Sequence, residues 1–93
     1  MKTLELREGN LVISKCGRDK KKFFIVVQIM NDYVFLCDGD MRKVDKPKKK
    51  KIKHVQPTSK FSNYINECIK EGKMLTNKEL RNELCKHVKE DLK

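Results

Sequence analysis

The four cysteines and two histidines of this 93-residue sequence, Cys16, Cys37, His54, Cys68, Cys85 and His87, are the side chains that could supply nitrogen and sulfur ligands to a metal ion. Structural zinc sites draw their ligands from closely spaced pairs such as Cys-x-x-Cys. No such pair occurs here, and the only close spacing is Cys85-x-His87. Cys37, Cys68 and Cys85 therefore read as small apolar packers. Cys16 lies near Lys15 and Arg18, whose charge favours a thiolate, but it has no evident histidine partner for nucleophilic work. Asp38 and Asp40 flank Gly39 and read as turn formers rather than as an acid and a base. The expectation is a protein with no catalytic residue, metal ligand or cofactor. It is not expected to be an enzyme.

The remaining chemistry is that of cations. Lys46-Pro47-Lys48-Lys49-Lys50-Lys51-Ile52-Lys53-His54 places six lysines within eight residues, 46–53. Pro47 favours an extended backbone, along which successive ammonium groups can follow phosphates. A second cluster lies earlier, where Lys15, Arg18, Lys20, Lys21 and Lys22 surround Gly17 between two apolar runs. Arg42 and Lys43 fall between the clusters. Like charges this close repel, so the clusters serve either solubility or a polyanion. Two basic segments, each set between strand signals, favour the polyanion. The whole chain carries 23 Lys and Arg against 13 Asp and Glu, a formal charge of +10. Residues 1–56 hold 15 of the cations and 7 of the acids, a net of +8, which leaves only +2 for the rest. Such a field attracts nucleic acid, anionic membrane or an acidic protein.

The elements that must position these groups follow from periodicity. Leu11-Val12-Ile13, residues 23–30 and residues 33–37 read as strands, the last two joined through the short turn Asn31-Asp32. Asp38-Gly39 signals another turn, predicting a short strand over 41–44 and a last one over 52–55. Five short strands with no helix between them suggest a small closed or nearly closed barrel, since closure removes exposed edges. After Pro57 the pattern becomes helical. Phe61, Tyr64, Ile65, Cys68 and Ile69 share a face, and Gly72 is a stop. Thr76 and Glu79 match a capping box, and Leu80, Leu84, Val88 and Leu92 form one stripe. Two amphipathic helices are predicted, roughly 60–71 and 77–90, each too short to be stable alone. Of the six aromatics most sit in apolar runs and read as core packing, with Phe23 or Phe24 the candidate for an exposed stacking platform.

Gly9-x-x-Val12-x-x-x-x-Gly17-x-x-Lys20, followed by a β-rich run, resembles the KOW motif of RNA-binding ribosomal proteins and transcription elongation factors. Lys21 stands where many members have glycine. The stretch LCDGDMRKVDKPKKKKIKHVQPT resembles the Asp-Gly turn, basic run and Lys-His-aliphatic-x-Pro-Thr ending of eukaryotic- and archaeal-type large-subunit ribosomal KOW proteins. It is also similar to small bacterial KOW-domain RNA-binding proteins.

The resemblance implies a mainly β fold: an SH3-like KOW barrel over 1–57, then a helical extension over 58–93. It implies a non-catalytic binder of structured RNA, with ribosomal RNA or the large ribosomal subunit as partner. The RNA-facing residues expected are Lys15, Gly17, Arg18, Lys20, Lys21, Lys22, Arg42, Lys43, Lys46, Lys48, Lys49, Lys50, Lys51, Lys53 and His54. The alternatives are a transcription-associated KOW module and a protein-interaction adaptor working through its helices. No apolar stretch is long enough for a membrane span and the start lacks a signal peptide's apolar region, so a cytoplasmic monomer with reduced cysteines is expected.

Overall fold

The computed structural model describes residues 6–18 and 20–91. Five antiparallel strands form one sheet: β1 (Asn10–Ser14), β2 (Phe23–Met30), β3 (Tyr33–Cys37), β4 (Lys48–Lys51) and β5 (Val55–Phe61). Their order is β4-β3-β2-β1-β5, so β4 and β5 are the two edges of an open sheet. A 3-10 turn over Ile52–His54 links one edge strand directly to the other. Two helices follow, α1 (Asn63–Lys70) and α2 (Asn77–Asp91). The architecture is mainly β with C-terminal helices.

Strands β1 to β3 are apolar on both faces, and the register sorts their side chains into two clusters. Val12 pairs with Phe24 and Val26 with Leu36; these four, with Val34 and Val55, are almost wholly buried on one face. That cluster holds only strand residues, with Leu6, Ile29 and Ile52 packed against it. Leu11 pairs with Ile25, and Ile25 with Cys37, on the opposite face. There Ile65 of α1 and Leu80 of α2 complete the second cluster, flanked by Ile69, Leu84 and Val88. The helices thus use their apolar stripes in the core.

Several local signals hold. Thr76 and Glu79 form the reciprocal capping box, with side-chain bonds of 3.0 and 3.1 Å to each other's backbone amides. Gly72 has φ +75°, and the Lys73 and Gly72 amides donate to the Cys68 and Ile69 carbonyls, a Schellman ending for α1. Ser62 caps the start of α1 by accepting from the Ile65 amide, and its hydroxyl donates to Glu83 of α2 at 2.7 Å.

Other expectations need correction. Residues 41–44 are not a strand. Asp38 Oδ1 accepts the Asp40 and Arg42 amides, the Arg42 carbonyl accepts those of Asp38 and Gly39, and the Val44 amide donates to Asn77 Oδ1. These backbone groups are committed to the loop and to α2. The lysine run itself forms the fourth strand, with Tyr33 opposite Lys51 and Leu36 opposite Lys48. Residues 52–54 are the 3-10 turn, and β5 runs on to Phe61, so the boundary expected at 57 falls inside a strand and Phe61 precedes the helix. Leu92 lies outside the described residues.

The helices meet the sheet at two glycines. Gly9 has φ +102°, and a Cβ there would stand 2.7 Å from the Ser62 carbonyl. Gly39 has φ +79° and packs on the Asn77 carbonyl, while its own oxygen accepts from Arg81 Nη1 at 2.7 Å. Because Ile65 is fully buried, Ile65→Asp places an unpaired carboxylate in the second cluster. We expect it to lower stability by more than about 3 kcal/mol. Thermal unfolding of the variant checks this, and an unchanged melting temperature would mean that α1 is detached.

Candidate nucleic-acid interface

In the β1–β2 connection the structure describes residues 15–18 and 20–22. The loop's base is closed by the Ser14 amide on the Lys22 carbonyl, at 3.0 Å, and by the Lys21 amide on the Ser14 carbonyl, at 2.8 Å. Gly17 turns the chain with φ +88°, and its carbonyl accepts from the Lys20 amide. Lys21 is also left-handed, with φ +72°. It adopts there the conformation that a glycine takes without penalty, and it holds a cation at that point instead. Lys15, Arg18, Lys20, Lys21 and Lys22 are all exposed.

Four consecutive lysines in β4 split by period two. Lys48 and Lys50 share the face of their register partners Leu36 and Val34, over the first core cluster. Lys50 is only 9% exposed, and its ammonium donates to the Cys16 carbonyl at 3.0 Å. Its methylenes cover apolar surface while its charged end reaches a polar partner, as long cationic side chains do. Lys50 was expected to face RNA with the rest of the run. In the structure it ties β4 to the β1–β2 loop. Lys49 and Lys51 point the other way and are exposed.

That tie brings the two basic segments together, and a second contact reinforces it: the Lys15 amide donates to the His54 carbonyl at 2.9 Å. A cleft of about 390 Å³ lies where the loop, residues 38–42 and β4 converge. Arg18, Lys22, Arg42 and Lys48 line it around Phe24 and Met41, with Asp38 as the acid. Lys43 and Lys46 are exposed beyond it, as is Lys53, and His54 is half-buried. Asp38 is already occupied in holding the Asp40 and Arg42 amides.

Phe24 is buried in the first cluster, as core packing predicts, while Phe23 packs against the second and stays half-buried beside Lys21 and Lys22. Tyr33 is a half-exposed aromatic set among cations. Lys49 Nζ lies 4.4 Å from its ring centroid, and Lys51 is its register partner. The signal was present as alternation, since Tyr33 and Phe35 stand opposite Lys51 and Lys49.

The thiols divide by environment. Cys37 and Cys68 are buried, Cys16 is half-buried, and Cys85 is exposed rather than packed as the sequence suggested. Burial first, then the nearby Asp38 and Asp45, push the Cys37 thiol up from 9.0 to about 12. Among the described residues no three His, Cys, Asp or Glu side chains gather into a cation site. No described helix is long and apolar enough to cross a membrane. No protein-family profile matches the chain, and no curated protein matches it.

The loop geometry sets opposite outcomes for two substitutions. Lys21→Gly removes a left-handed non-glycine residue and should raise stability by about 1 kcal/mol. Gly17→Val imposes a β-branched residue on positive φ and should lower it by roughly 1–3 kcal/mol. Chemical denaturation of the pair checks both signs. A raised thiol also makes Cys37 unreactive: at pH 8 an alkylating reagent should label Cys85 and leave Cys37 untouched in the folded protein.

Proposed function

We propose that this protein is a non-catalytic RNA-binding protein of the cytoplasm, contacting ribosomal RNA or the ribosome through its two basic segments. The observation that carries this reading is the convergence of the β1–β2 loop and β4, tied by Lys50 on the Cys16 carbonyl, with Arg18, Lys22, Arg42 and Lys48 around one cleft. Cations gathered from separate stretches of chain onto one face suit phosphates that are close in space but not in sequence, as in folded RNA. A solubility role needs no such gathering.

The same reading takes the sheet as an SH3-like KOW barrel. It is supported by the strand order, by the 3-10 turn joining the two edge strands, and by a core cluster whose buried members all lie in strands. The adaptor alternative is disfavoured because α1 and α2 already bury Ile65 and Leu80 against the sheet. A transcription-associated module would use the same loop, and co-purification with polymerase rather than ribosomes would favour it.

Binding driven by phosphates releases counterions, so log K falls linearly with log salt, by roughly 0.7–0.9 per contact. Changing Arg42, Lys43 and Lys48 together to Gln should make that slope shallower by about 2 units on a structured ribosomal RNA fragment. Changing Lys20, Lys21 and Lys22 should give a comparable loss, because one RNA spans both segments. Lys50 is left in place, since its removal would loosen the loop. Unchanged affinity and slope, accompanied by aggregation, would assign the lysines to solubility instead.

A further inference from the structure

Beyond the phosphate-binding face, a second cleft of about 460 Å³ opens at the other end of β4, lined by Asp32, Tyr33, Lys51, Ile52 and Lys53. Its volume lies within the roughly 300–1,000 Å³ typical of small-ligand sites. The cleft is built from the β2–β3 turn and the start of the 3-10 turn, which are joined by the Ile52 amide on the Asp32 carbonyl at 2.8 Å. Asn31, in the same turn, has φ +55° and directs the chain into Asp32 and Tyr33. Lys49 sits over the Tyr33 ring but is not among the residues lining the cleft.

These five side chains differ in chemistry from the first cleft. Tyr33 and Ile52 offer an aromatic and an aliphatic wall. Lys51 and Lys53 are exposed cations that can take the flanking phosphates. Asp32 adds a carboxylate, which only accepts hydrogen bonds. A carboxylate among phosphate-binding lysines weakens binding to a plain duplex backbone. It gains from a group that presents donors, such as the edge of an unpaired base.

We infer that this cleft binds one unpaired nucleotide of the RNA, its base stacked on Tyr33 and its Watson–Crick edge read by Asp32, with guanine preferred. Guanine is the base whose edge offers two adjacent N–H donors, at N1 and N2, to the two oxygens of a carboxylate. Adenine and cytosine offer only an amino group there beside an acceptor nitrogen that faces the carboxylate unfavourably. The inference rests on the RNA-binding reading and deepens it: the basic face holds phosphates, and this cleft selects where along a strand the protein settles.

The test uses short uridine strands carrying one central guanosine or one central adenosine, together with a structured RNA as control. The chain has two tyrosines and no tryptophan, so in a Tyr64→Phe background Tyr33 is the sole tyrosine reporter. Its fluorescence should be quenched by the guanosine strand. Affinity for that strand should fall roughly 5- to 150-fold in Tyr33→Ala, the range for one lost base stack. Asp32→Asn should bring guanosine and adenosine strands to parity from a preference of at least about fivefold. Control RNA binding should change little in either variant but fall when Lys20, Lys21 and Lys22 become Gln. If Tyr33→Ala binds the guanosine strand like the parent, or no quenching occurs while the control RNA still binds, the nucleotide site is overturned and the RNA-binding reading stands. If the parent binds neither RNA, both fall.

Discussion

A strand made of four lysines is the constraint around which this molecule is arranged. Adjacent ammonium groups repel, and an edge strand must also avoid pairing with other chains. Alternation separates the charges onto two faces. The inward face is then tolerable only if each ammonium finds a polar end-point beyond the apolar surface. Lys50 finds the Cys16 carbonyl, on a loop that precedes it by more than half of the sheet's chain length. One hydrogen bond to a charged donor is worth about 1.5–3 kcal/mol. Here it also joins β4 to the loop that carries five other cations. The charge that threatens the strand becomes the link that orders the basic face.

The helices solve the remaining problem of the sheet, which is apolar on both sides. Leu11, Ile25 and Cys37 would lie open to water without α1 and α2. Docking depends on close backbone approach at Gly9 and Gly39, where any Cβ would meet a helix carbonyl. It is secured by polar contacts that pin both helices: Asn66 to the Glu8 carbonyl, Arg81 to the Gly39 carbonyl, and Ser62 to Glu83. Asn77 reaches the Val44 amide and so holds the loop that carries Arg42. The helical extension therefore shapes the cleft from behind while leaving its cations outward.

Much of this was legible in the sequence, and the failures have physical causes. Strands β1 to β3 follow from uninterrupted β-branched and aromatic runs, and the capping box and Gly72 mark the helix ends by local chemistry alone. The fourth strand was misplaced because lysine has little strand propensity. Pairing with β3 decided the matter there, and pairing is not a local property. Alternation put Phe23 and Phe24 on opposite faces without saying which side the helices cover, so the sequence could not say which of the two would be buried. The basic residues were identifiable by type. Which one is structural was not, since Lys50 differs from Lys49 and Lys51 only through its register partner Val34.

The central claim is that RNA meets the protein on the face shared by the β1–β2 loop and β4. Ultraviolet crosslinking in cells, read for both the RNA fragment and the crosslinked peptide, tests it most directly. The account predicts ribosomal RNA attached within residues 15–22 and 48–54. Crosslinks concentrated on α2, or protein recovered without RNA, would contradict it.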